Sequence, residues 1–118
     1  MDPITGLAIG RIAVGTVSLL SPGLAARLFL LNPTTNPQVP FVTRLFGSRE
    51  IALGGLTLAS SGAARRQLVQ VGIAVDSADA VTGLLAAANG SVSKPAALLM
   101  TLVAGGAVAS GAMALQED

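Results

Sequence analysis

Ala96-Ala97-Leu98-Leu99-Met100-Thr101-Leu102-Val103-Ala104-Gly105-Gly106-Ala107-Val108-Ala109-Ser110-Gly111-Ala112-Met113-Ala114-Leu115 carries no charge, and Thr101 and Ser110 are its only polar side chains. A helix on the surface of a water-soluble domain needs a polar face. This stretch is apolar all round, and its length matches the ~20 residues that cross ~30 Å of hydrocarbon. It therefore reads as a membrane-spanning helix, and it argues against the main alternative, a soluble bundle of four helices.

Upstream, the same reading repeats. Residues 67–88 and 41–60 are segments of spanning length, and residues 3–20 are apolar with only Arg11 interrupting them. A secretory leader would begin with a basic region, but Asp2 stands there and Arg11 lies mid-segment, so this segment reads as a span. Ser21-Pro22-Gly23 stops it. Leu24 to Leu31 is too short to cross and, with Arg27 as its one charge, reads as a short interfacial helix. Asn32 to Pro40 holds three prolines and reads as a loop outside any helix. Ser61 to Arg66 and Asn89 to Pro95 read as short turns; Asn89-Gly90-Ser91 matches a glycosylation acceptor but suits a plain turn better. The expectation is an all-α fold: one domain over residues 1–118, an integral membrane four-helix bundle with spans at 3–20, 41–60, 67–88 and 96–115.

Composition supports this and removes several function classes. Hydrophobic residues make up 52% of the 118 and charged residues 11%, against about 25% charged in an ordinary soluble domain; the mean hydropathy is +0.72. The net charge of +1 and the lack of any basic patch point away from nucleic acid. The chain has no Cys, His, Trp or Tyr. It thus has no thiol to relay electrons and none of the usual ligands of haem or zinc, so no cofactor is expected.

Six ionisable residues fall within the spans: Arg11, Arg44, Arg49, Glu50, Asp76 and Asp79. With a rise of ~1.5 Å per residue, Arg11 and Asp76 come to similar depths from the end carrying the termini. Arg49, Glu50 and Asp79 share a level counted from the other end. Asp76 and Asp79, spaced i and i+3, lie on one helix face and need cations, which the arginines supply. The expected pairs are Arg11 with Asp76, and Arg49 with Asp79 or Glu50. Arg44, about one turn inside, also reads as an interface anchor.

Three readings of this polar cluster are open. It specifies one helix arrangement, or it lines a wet cavity for a small polar ligand or protons, or it binds a divalent cation through its carboxylates. Three arginines competing for the same oxygens oppose the last, so no metal is expected. An enzyme using an aspartate as general acid or base on a lipid-soluble substrate is a further reading.

Arg44-Leu45-Phe46-Gly47-Ser48-Arg49-Glu50, with the later Asp76-Ser77-Ala78-Asp79, resembles an uncharacterised family of small actinobacterial four-helix membrane proteins. More distantly, Arg49-Glu50-Ile51-Ala52-Leu53-Gly54-Gly55-Leu56-Thr57-Leu58 is similar to the second helix of the DoxX-like membrane proteins, and Gly10-Arg11-Ile12-Ala13-Val14-Gly15 to their first. Some DoxX-like proteins are subunits of quinone-linked or thiol-linked oxidoreductase complexes. The resemblance therefore implies an accessory membrane subunit; the absence of Cys departs from any direct thiol role.

The functional expectation is a non-catalytic accessory or assembly subunit of a larger membrane complex. The alternative is a binding or transporter-like module with a polar intramembrane cavity. Small residues recur at helix-packing spacings, Gly6 and Gly10, Gly47 and Gly54, Gly106 and Ser110, and the expected partners are membrane lipids and either a larger membrane protein complex or further copies of the chain, met through Gly/Ala-rich faces. The expected location is the cell membrane, multi-pass. The compact Arg65-Arg66 pair would place both termini in the cytoplasm.

Overall fold

The computed structural model describes residues 1–117. The described residues form an all-α fold of five helices: α1 (Pro3–Leu20), α2 (Pro22–Leu28), α3 (Gln38–Ala59), α4 (Gly62–Asn89) and α5 (Lys94–Glu117). Three of them, α1, α4 and α5, are long and apolar enough to cross a membrane. The 22 residues of α3 are long enough too, but any 18-residue stretch of it contains Arg44, Arg49 and Glu50. It is charge that keeps α3 out of that group.

Helix ends depart from the sequence expectation where proline and arginine stand near a helix start. Asn32 to Pro40 does not stay outside a helix, because α3 starts at Gln38 and takes in Pro40. The first turn has no intrahelical use for the missing N–H. Pro22 likewise opens α2, which ends at Leu28 instead of running from Leu24 to Leu31. Ser61 to Arg66 is not a turn: only Ser60 and Ser61 separate α3 from α4, so Arg65 and Arg66 are the fourth and fifth residues of α4. Gly90, at φ 74°, closes α4 in the left-handed conformation that glycine adopts at little cost. In the turn that follows, Asn89 Oδ1 accepts the Ser91 N–H at 2.9 Å.

The long helices associate as two tight antiparallel pairs, α1 with α3 and α4 with α5. Glycine sets the first contact. A Cβ on Gly15 would lie 2.6 Å from the Gly47 carbonyl oxygen, one on Gly47 would lie 2.7 Å from that of Gly15, and one on Gly54 would lie 2.6 Å from that of Ala8. The two backbones touch directly. In the second pair, Ile73 fills the place a side chain on Gly111 would take.

Contact between the pairs is less extensive and falls to α3 on α4 and α1 on α5. An apolar cluster of Ile4, Val69 and Ala114 with Leu7, Ile73 and Leu115 joins them near the termini. At that end Arg65 donates to Asp2 Oδ1 and to Thr5 Oγ1, tying α4 to the start of α1. Arg66 donates to the Leu115 carbonyl at 3.1 Å, capping α5. At the opposite end, α2 buries Ala25 and Ala26 and packs on both helices of the first pair.

Bulk is distributed inside out. Much of the buried core is alanine, while Leu20, Leu28, Phe41, Leu85, Leu98 and Leu102 are exposed. Only 22%, 22% and 17% of the apolar stretches of α1, α4 and α5 are buried. An apolar surface this extensive marks contact with lipid or protein.

Candidate functional site

Between the two pairs lies a single ion-pair network. Arg11 reaches from α1 to α4, where Nη2 donates to Asp76 Oδ2 at 2.5 Å and Nη1 to Oδ1 at 3.2 Å, a bidentate arrangement. The same Nη1 donates to Glu50 Oε2 on α3 at 2.8 Å. Arg49 repeats the pattern one turn along α4, with Nη2 to Asp79 Oδ2 at 2.6 Å and Nη1 to Oδ1 at 3.2 Å. Its Nη2 also donates to Glu50 Oε1 at 3.3 Å.

The structure thus makes the pairings expected from depth and adds one the sequence did not show. Glu50 gives one carboxylate oxygen to each arginine, so the two expected layers are one five-residue chain of charge. Arg44 does not join it. Positions 44 and 49 differ by about 140° around a helix of 3.6 residues per turn, and Arg44 is exposed on another side of α3. The expected balance of three cations and three anions becomes two against three.

Burial divides the network. The side chains of Arg11, Glu50 and Asp76 are 11%, 6% and 6% exposed, whereas Arg49 and Asp79 are 36% and 34% exposed. The first group is a core element; the second opens to the outside. Arg49 also stacks over Phe46, its Cζ 5.0 Å from the ring centre. Its Nε, buried, has no acceptor in the protein.

Two supporting residues escaped the sequence reading. Gly72 makes room for the guanidinium of Arg11: a Cβ there would lie 2.6 Å from Nη2. Its position one turn before Asp76 on the same face was the available signal. Phe46, one turn before Arg49, offered the same kind of signal.

Chemically, the arrangement holds charges in place. Each carboxylate is held by a guanidinium, and among the described residues no group of three or more acidic side chains is placed to hold a metal ion. Two surface depressions of about 340 Å³ lie elsewhere, one bounded by Pro3, Leu7, Ser110, Met113, Ala114 and Glu117, the other by Arg27, Leu30, Leu31, Asn32 and Pro33. Comparison of the chain with protein-family models, with curated proteins and with solved structures finds no match.

Proposed function

We propose that this chain is a multi-pass membrane protein of four spanning helices that serves as a non-catalytic accessory or assembly subunit, its ion-pair network fixing its own shape and its outer glycine faces receiving helices of a partner. The observation that carries the reading is a division among the glycines. Gly15, Gly47, Gly54, Gly83 and Gly111 face backbone or side chains of a neighbouring helix, whereas nothing lies within 4 Å of a Cβ on Gly10, Gly55, Gly105 or Gly106. In lipid, helices associate through close backbone approach at small residues, and these four positions offer it outward.

Two further points support the spanning arrangement. The molecule is 45 Å in its longest dimension, matching the ~40–45 Å of a bilayer with its headgroup regions. Of the charges that set α3 apart, Glu50 is turned to α1 and Arg49 to α4, so α3 can cross without presenting Glu50 to lipid, while Arg44, exposed near the start of the helix, can reach the headgroups. The resemblance of the segment around Arg49 and Glu50 to DoxX-like proteins points to the same accessory role.

The test is purification from native membranes in mild detergent followed by mass spectrometry. A defined partner, or a discrete homo-oligomer, that is lost on Gly55→Leu or Gly105→Leu while helicity is retained is the expected result. Recovery of a stable monomer alone would overturn the proposal. Retention of the chain in the membrane after alkaline carbonate wash tests the spanning arrangement separately.

The half-exposed Arg49–Asp79 pair favours a second reading, a binding or transporter-like module. Three carboxylates face two guanidiniums, so one proton makes the network neutral, and the Arg49 Nε is a donor with no acceptor in the protein. Asp79→Asn tests it: abolished uptake of protons or of a polar solute into proteoliposomes, with unchanged melting, supports transport. Reduced melting with no uptake in either protein assigns the pair to structure.

A further inference from the structure

We infer that the end of the molecule formed by α2, residues 29–37 and the adjoining starts of α3 and α5 is a docking surface for anionic phospholipid headgroups, with Arg27 and Asn32 holding a phosphate. This rests on the membrane-spanning reading above and adds a ligand and a place for it.

Charge is distributed one-sidedly. No Asp or Glu occurs in residues 12–49 or 80–116, and within those stretches lie Arg27, Arg44 and Lys94, all exposed. Among the described residues none of the three makes an ion pair or a side-chain hydrogen bond. The other end differs, since Arg65 meets Asp2 and Arg66 meets the Leu115 carbonyl. Three cations without a counter-charge at one end of a spanning protein meet the phosphate layer of a bilayer, and a polybasic site there selects anionic lipid.

The recess bounded by Arg27, Leu30, Leu31, Asn32 and Pro33 gives this attraction a seat. Asn32 Oδ1 accepts the N–H groups of Thr34 at 3.0 Å and Thr35 at 3.3 Å. With its oxygen committed to the turn, its NH₂ group is left as a donor beside the guanidinium. Leu30 stands at φ 63°, a left-handed conformation that a leucine rarely adopts. It closes α2 in the position where helices ordinarily place glycine, with the Leu31 N–H reaching the Ala26 carbonyl at 2.9 Å. An exposed leucine is thereby held beside the cation.

The surroundings choose the source of the phosphate. Leu24, Leu28, Leu30 and Phe41 are all more than half exposed, an apolar collar suited to acyl chains beneath a charged head. A soluble anion would leave that collar in water. A phospholipid covers both.

The probe is phosphatidylglycerol, titrated into the purified full chain in neutral detergent and counted by native mass spectrometry, with phosphatidylcholine of the same chains and inorganic phosphate in parallel. Phosphatidylglycerol is expected to bind in preference to phosphatidylcholine, with inorganic phosphate a weak competitor. Arg27→Gln is expected to weaken it about fivefold and the Arg27→Gln/Arg44→Gln/Lys94→Gln variant on the order of a hundredfold, following the energy of one cation near an anionic surface. Leu30→Gly is expected to raise the melting temperature while weakening lipid retention, a split that a purely structural role for Leu30 would not give. Equal binding of the two lipids, an unchanged preference in the triple variant, or full competition by inorganic phosphate would overturn the proposal. Carbonate wash of the triple variant separates the cases: a chain still held in the membrane fails only the lipid proposal, and a chain released from it fails the spanning one.

Discussion

Arg11 is the residue on which three helices converge, and its loss is the most informative single change. Arg11→Leu leaves Glu50 and Asp76 buried without their shared cation, and breaking a buried pair in this way costs about 3–5 kcal/mol. The expected readout is a matching fall in unfolding free energy in detergent, followed by helicity. Replacing Arg11, Glu50 and Asp76 together by apolar residues should recover most of the loss, because no charge is then stranded. Asp2 supplies a second residue-scale test. Its carboxylate is held below the ordinary range, chiefly by the Thr5 backbone N–H and further by the Thr5 hydroxyl and Arg65, against an opposing effect of burial. A depressed carboxylate contributes stability that is present above its unfolded value of 3.8 and lost as pH falls through its folded value. The difference in melting temperature between the natural protein and Asp2→Ala should therefore be present at pH 7 and vanish in strong acid. At this scale the sequence was legible in depth but not in direction. A rise of ~1.5 Å per residue placed Arg11 beside Asp76 and Arg49 beside Asp79 or Glu50. The rotation of α3, which turns Glu50 to both arginines and Arg44 to neither, depends on packing against α1 that no single helix encodes.

Among the elements, the contrast between filled and open glycines gives opposite expectations for the same substitution. Gly47→Ala places a methyl group against the Gly15 carbonyl, with backbone rather than a movable side chain in its way, and overpacking of this kind costs about 1–3 kcal/mol. Gly55→Ala meets nothing within the chain and gains the ~1 kcal/mol of helix propensity that alanine holds over glycine. Melting of the two purified variants checks both signs. Helix existence was readable from apolar runs, whereas helix starts were not. Pro22 and Pro40 look like stops in a string of letters, yet each lies in a first turn, where proline is at home. Arg65 and Arg66 look like a loop because they are charged; their place in α4 comes from partners on α1 and α5.

For the molecule as a whole, the division into two tight pairs was not legible at all, because it depends on which glycines meet. Orientation is a further question at this scale. Cation counting around Arg65-Arg66 favours cytoplasmic termini, but both arginines are engaged within the chain, and the exposed cations stand at the other end. If that end meets the anionic cytoplasmic leaflet, the termini lie outside. The natural chain has no cysteine, so Ser61→Cys and Ser91→Cys each report one side. Ser61→Cys should react with an impermeant thiol reagent in intact cells, and Ser91→Cys only after permeabilisation. The reverse pattern would restore cytoplasmic termini.

The order of the network along the chain carries a consequence for biogenesis. Arg11 is synthesised first, Glu50 some forty residues later and Asp76 later still. If the helices cross a membrane as proposed, the first helix would wait beside the translocation machinery during translation with an unmatched guanidinium, receive one carboxylate from α3, and become fully coordinated only when α4 arrives. Ribosomes halted before Asp76 would therefore display an insertion intermediate open to quality-control proteases, and completion of α4 would be the event that commits the nascent protein to survival.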